Sequence, residues 1–190
     1  MSPLLNCGDH EAFYCFRRDP HCIVEGYRVH PAIRDARARG VLFDVGHGTA
    51  SFDFPTAEAA LADGFPPDTI STDLQARHRG TQPPHTLPRV MAKLRAAGMP
   101  EGDVLAAATV RPARILGLAG EVGMLAVGAC ADLTVLGWDE GAAPLVDAHG
   151  TSRPGGCWEA LLTVRAGQVI PRAGLWVKEV TTAGSRCCQP

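Results

Sequence analysis

Three segments of this 190-residue chain each run into a polar residue where a parallel strand would stop. They are Phe13-Tyr14-Cys15, Val41-Leu42-Phe43-Asp44-Val45-Gly46-His47-Gly48 and Asp68-Thr69-Ile70-Ser71-Thr72-Asp73. The run from Val41 to Val45 is too short for a helix and lies between Gly40 and Gly46, as expected of a strand buried on both faces. Turn residues or an amphipathic stretch follow each segment, so Tyr14, His47 and Asp73 fall at strand carboxyl ends. In a (β/α) barrel that is the face that carries the chemistry. The step from Tyr14 to His47 is 33 residues and that from His47 to Asp73 is 26. A barrel of about 250 residues uses roughly 30 per βα unit. Three such units fit this chain and eight do not, so the expectation is the carboxyl-terminal part of a barrel.

Helix signals fill the gaps. Pro31 to Arg39 opens on a proline suited to a first turn and stops at Gly40. Phe54 to Asp63 places Phe54, Ala57, Ala60 and Leu61 on one side with Glu58 facing water, and Gly64 ends it. The Pro-, His- and Arg-rich stretch from Gln75 to His85 reads as a long loop over the barrel mouth. Pro88 to Ala97, Pro100 to Ala108 and Pro112 to Leu116 follow as helices, each opened by a proline.

From Val122 the pattern turns to β. Residues 131–136 and 161–165 are strand-like, and Ala166-Gly167 before Gln168-Val169-Ile170 marks a hairpin turn. The expected division is a partial barrel over residues 1–121 and a small β domain, with a tail, over residues 122–190.

Composition excludes some functions. The formal net charge is -2, with basic and acidic residues nearly balanced, so no basic excess points to nucleic acid. No apolar run approaches the ~20 residues that cross a bilayer, and residues 1–8 lack the basic start and apolar core of a signal peptide. The expectation is a cytoplasmic protein with no membrane partner. Seven cysteines, at 7, 15, 22, 130, 157, 187 and 188, form no paired metal knuckle and read as thiols used for packing.

Several blocks in fixed order resemble one known group. They are ARGVLFDVGHGTASFDF at 38–54, DTISTDL at 68–74, LPRVMAKLRAAGMP at 87–100, AATVRPARILGL at 107–118 and VGACADLTVL at 127–136. Together they resemble the amidohydrolase superfamily, within it the dihydroorotase-like amidohydrolase/deacetylase family. The resemblance implies a TIM-like (β/α)8 metal-dependent hydrolase barrel with a small β-sandwich beside it, of which the β domain over residues 122–190 is a part. It also implies zinc, which activates a water to cleave an amide, cyclic amide or related acyl bond of a small-molecule substrate. The ligands in that family are a His-x-His pair, a carboxylated lysine, two further histidines and an aspartate on the eighth strand.

Asp73 matches that aspartate, as a metal ligand and proton acceptor, and His47 matches a histidine on the substrate side. Tyr14 stands where the resemblance expects a histidine ligand, and a phenol with a pKa of about 10 is a poor substitute for imidazole on zinc. No His-x-His pair occurs, the lysines are Lys93 and Lys178, and Gln75 stands where a histidine usually follows the aspartate.

Simpler readings stand beside these. Asp73 could cap a strand end, His47 could be a turn residue between two glycines, and Tyr14 could be packing. His10, His21, His30, His78 and His85 read as surface or loop histidines, with His78 and His85 placed to reach a metal from the mouth loop. Two functional classes follow: a metal-dependent hydrolase whose isolated chain is inactive for want of ligands, or a non-catalytic fragment serving assembly. Open strand edges imply a complementing chain or a homo-oligomer.

Overall fold

A computed structural model describes residues 11–12, 15–18, 22–78 and 81–171. In chain order its elements are β1 (Glu11–Ala12), β2 (Val24–Glu25), β3 (Arg28–Val29), α1 (Pro31–Ala38), β4 (Leu42–Phe43), α2 (Phe54–Ala62), α3 (Leu87–Ala96), α4 (Glu101–Ala108), α5 (Val110–Ile115), β5 (Leu133–Asp139), β6 (Leu145–Val146), β7 (Ser152–Arg153), β8 (Cys157–Arg165) and β9 (Gln168–Ile170). Tyr14 lies outside the described residues, as do His10, His21, Lys178 and three of the cysteines.

Phe13 and Tyr14 of the first segment lie outside the described residues, and the strand found there is β1, just before it; the segments at 41–48 and 68–73 lie side by side and parallel. β1 pairs in parallel with β4, and Asp44 bridges in parallel to Thr69. Beyond β4 the pairing continues as Val45 N–H to Thr69 O (3.2 Å), His47 N–H to Ser71 O (3.1 Å) and Gly48 N–H to Thr72 O (3.0 Å). The regular ladder is shorter than the sequence suggests, for two reasons visible in the bonding. The Asp68 carboxylate takes the Phe43 N–H at 2.8 Å, and the Ile70 N–H leaves the strand to reach Ala107 O at 3.1 Å.

Helices cover this layer as their capping signals predict. The His30 ring accepts from Ala32 N–H at the start of α1, and Asp53 accepts from both the Thr56 N–H (2.9 Å) and its hydroxyl (2.7 Å) at the start of α2. Three helix starts differ from the sequence reading, and the first only by one residue, since α3 begins at Leu87 with Pro88 next. Pro100 is the cap of α4 rather than its first residue, and α5 begins at Val110, two residues before Pro112. Pro112 still sits in the first turn, where a missing N–H leaves no ladder bond unmade. Glu58 does not face open water: Arg153 holds it through two bonds of 2.5 and 2.7 Å.

The core forms where these helices meet the strands. Phe43, Val45, Phe52, Phe54, Phe65, Val90, Leu94 and Val104 are all buried there. Phe43 and Phe65 meet edge to face at 5.0 Å, and the Arg37 guanidinium lies 3.6 Å from the Phe65 centroid while bonding Asp68 at 3.0 Å. Cys15 and Cys157 are buried, and burial pushes both thiols above their ordinary pKa.

The β region is not a sandwich among the described residues. β5, β8 and β9 make one antiparallel three-stranded sheet, and β6 with β7 makes a two-residue hairpin. Ala166 and Gly167, at φ of 48° and 78°, turn β8 into β9 as read from sequence. One hairpin was not expected. β2 and β3 pair around Gly26 and Tyr27, whose φ values of 55° and 68° are those of a tight turn matched to strand twist. No helix among the described residues is long and apolar enough to cross a membrane.

Candidate active site at the strand ends

Asp44 shapes the end of β4. It is 3% exposed, and its carboxylate accepts from Gly46 N–H (2.7 Å), the Thr69 hydroxyl (2.6 Å) and the Ser71 hydroxyl. One buried side chain thus fastens two neighbouring parallel segments just below the site. Gly46 and Gly48 then adopt φ of 47° and 46°, a left-handed geometry that a residue with a Cβ enters at a cost. Those two turns fix the direction of His47 between them.

His47 is buried against Phe52, with the rings stacked at 5.2 Å. Its Nδ1 bonds the Gly48 carbonyl, which can only accept, so Nδ1 carries the proton. Nε2 is therefore the acceptor in the neutral ring, and the Lys93 ammonium donates to it at 2.9 Å. Burial, reinforced by the Lys93 charge, holds the His47 pKa down at about 3. Lys93 is lowered to about 8, chiefly by its own burial and then by Arg89. The lysine was set aside in the sequence because it follows the last strand. A signal was present nonetheless: Val90, Lys93, Leu94 and Ala97 fall at helical spacing, which puts a lysine on the apolar face of α3.

Asp73 stands at the end of the next segment with φ of 48°, a conformation that aspartate tolerates better than most residues. Both its oxygens lie 3.3 Å from the Gln75 amide nitrogen. Its Oδ2 is 3.1 Å from where a Cβ on Gly48 would sit, so the absence of a side chain there admits the carboxylate beside His47. The two sequence-nominated residues are therefore neighbours.

The mouth loop turns His78 inward and half-buries His85, while Ala76, Gln82, Pro83 and Pro84 stay exposed. A short 3-10 turn at Ala76–His78 buries His78, whose Nδ1 accepts from Gln75 N–H at 3.1 Å. His85 donates from Nε2 to Thr72 O at 2.7 Å. The ring centroids of His47 and His85 are 5.2 Å apart and those of His78 and His85 are 4.8 Å apart. Neither loop histidine was expected inside, because irregular backbone carries no periodicity from which burial can be read.

This donor set does not fit a catalytic zinc by itself. Both ring nitrogens of His47 are engaged, one by a cation, and His78 already accepts an amide proton at Nδ1. Among the described residues no group of three or more His, Cys, Asp and Glu could hold a metal ion. A catalytic zinc takes about three protein ligands.

Parallel segments with an aspartate and a histidine at one end, backed by helices, are the arrangement of the catalytic face of a (β/α) barrel. Residues 33–153 match the amidohydrolase family model, and the chain belongs to that family. Its relatives place it among dihydroorotase-like members. A deacetylase of Enterococcus faecalis is 38% identical over 115 residues, covering 60% of this chain and 31% of that protein. The crystal structure of an adenine deaminase superposes with a TM-score of 0.78 at 30% identity, over 86% of this chain and 45% of that one. A dihydroorotase superposes at 0.71 with 32% identity, over 85% and 43%. The chain thus spans about a third of the curated relative and under half of each solved chain.

Proposed function

We propose that this chain is one part of a metal-dependent hydrolase of C–N or related acyl bonds. In this reading it supplies the carboxyl-terminal strands of a TIM-like (β/α)8 barrel and one layer of a neighbouring β-sandwich. The observation that carries it is the meeting of Asp73 and His47 at adjacent parallel strand ends in an amidohydrolase-family chain. Asp73 is the carboxylate that takes a proton from the attacking water, a task that requires hydrogen-bond reach of that water. His47, held neutral, walls the substrate side. Cyclic amides, N-acyl amino acids and acylated hydroxy acids are the substrate classes, and zinc is the metal that the family membership favours. The remaining zinc ligands would come from outside the described residues or from a complementing polypeptide.

On this reading the 190-residue chain alone is catalytically silent. Purified and dialysed, it holds well under one equivalent of zinc by elemental analysis. Stoichiometric zinc that disappears in Asp73→Ala would contradict the incompleteness of the site in this chain.

A second reading, a non-catalytic assembly partner, draws on the Lys93 ammonium placed against His47 Nε2 and on the half-exposed apolar residues of β5 and β8. It predicts no hydrolysis under any pairing of chains.

A further inference from the structure

A cavity of about 610 Å³ opens between the mouth loop, α3 and the β6–β7 hairpin. Lys93 and Arg89, four residues apart on α3, both line it. Lys93 is only 7% exposed, yet no carboxylate lies within ion-pair distance of it among the described residues. Its contacts are the neutral His47 ring at 2.9 Å and the Phe52 ring at 5.6 Å. An ammonium has three protons to donate, and one acceptor is present. A buried cation without a matching anion is costly, so its retention in a cavity wall marks a place where an anion can enter.

The cavity's own carboxylate does not fill that role. Asp147 spends one oxygen on the His149 and Thr151 amides, each at 2.8 Å, and the other on Phe54 N–H at 2.9 Å. Arg89 is braced by the Pro144 carbonyl at 2.8 Å, which points one amino group and leaves the guanidinium further donors. Two fixed cations against one fixed carboxylate leave the wall one positive charge in excess. A single negative charge balances it, whereas a phosphate dianion exceeds it. Pro83, Pro84, Val90 and Val146 supply apolar surface in the same cavity for the rest of a small molecule.

We propose that this cavity is a recognition site for the carboxylate of a small monocarboxylate ligand, with Lys93 and Arg89 as the residues that bind it. The site does not depend on hydrolysis: a carboxylate is recognised here whether or not the chain forms part of an enzyme. If the chain does, the ligand is an acid such as an N-acyl amino acid.

The test uses the full 190-residue chain with ¹³C-labelled lysine. The sequence has two lysines, so Lys93→Met assigns the resonances. The Lys93 signal is titrated at constant ionic strength, alone and with saturating N-acetylglycine, N-acetylglycinamide or inorganic phosphate. Alone, it titrates near 8. With N-acetylglycine the midpoint rises by roughly one unit, as expected when an opposite charge sits within a few ångströms, while the other lysine and the uncharged amide control do not move. Arg89→Gln weakens N-acetylglycine binding roughly tenfold, the scale of one charge-assisted hydrogen bond, and it serves the test even where Lys93→Met does not fold. No midpoint shift, an equal shift with the amide, or a shift with phosphate but not with N-acetylglycine overturns the proposal.

Discussion

The strand layer with its helices and the β5–β8–β9 sheet are built from similarly apolar sequence and are treated very differently by the fold. Phe43, Val45 and Ile70 are buried, whereas Val135 is 48% and Leu161 55% exposed. Helices lie over the first layer, and the sheet meets one only at its Trp138 and Trp158 end, where Arg95 of α3 stacks 4.4 Å from Trp138. Among the described residues the far end of this sheet has no covering layer, whereas the first layer has one. The difference teaches where the stability of this chain resides and where a complementing segment would add most.

The largest expected effect is in the covered layer. Phe43→Ala removes a ring packed on Phe65 and Arg37 and should cost about 3–5 kcal/mol in urea unfolding, the usual range for a buried aromatic. A cost under about 1 kcal/mol would erase the contrast between the two regions.

Acid should expose the same contrast through His47. Its folded pKa of about 3 lies below the ~6.5 of an unfolded histidine. The unfolded chain therefore binds more protons in that window, and stability falls as pH drops from about 6.5 toward 4. Lys93, lowered to about 8 in the fold from ~10.4, makes stability rise with pH above about 8 by the same rule. His47→Gln should flatten the acid slope and Lys93→Met the alkaline one, as read by urea midpoints across pH.

Asp147 ties the β6–β7 hairpin, which lies between β5 and β8 in the chain, to the start of α2 in the covered layer. Burial alone would raise its carboxyl, but the amides of Phe54, His149 and Thr151 outweigh burial and hold it below the usual range. Its contribution is complete above the unfolded value of about 3.9 and is lost as pH falls through the lower folded value. Asp147→Ala should cost about 1–3 kcal/mol and raise hydrogen exchange in the hairpin first. Unchanged hairpin protection would show that the link lies elsewhere.

The smallest effect belongs to the open sheet. Val135→Ala should change stability by under about 1 kcal/mol in the isolated chain. A loss matching that of Phe43→Ala would mean that the sheet is covered in solution.

The parallel sense of the segments at 41–48 and 68–73 was legible because a buried strand between glycines, ending in a polar residue, leaves few alternatives. Their neighbouring ends, where His47 and Asp73 stand, were legible for the same reason. The loop histidines were not, since His78 and His85 are positioned by hydrogen bonds to Gln75, Thr49 and Thr72 that no spacing encodes. Lys93 was passed over because it follows the last barrel strand, although its helical spacing with Val90, Leu94 and Ala97 puts it on the apolar face of α3. The hairpin at Gly26-Tyr27 escaped notice because two-residue strands carry no alternation to detect. The β-sandwich expectation came from the family resemblance, whereas the strand-like runs showed only a small β domain and say nothing of how many layers it makes.

The central claim is that Asp73 belongs to a hydrolytic site which this chain completes only in part. The direct measurement is hydrolysis of N-acetyl amino acids and dihydroorotate with zinc, by the 190-residue chain alone and after adding a polypeptide with the first five barrel strands. The account predicts no turnover alone, weak turnover on complementation, an increase with Tyr14→His and abolition with Asp73→Asn. Turnover near or above about 1 s⁻¹ by the chain alone, or complemented activity that survives Asp73→Asn, would contradict it.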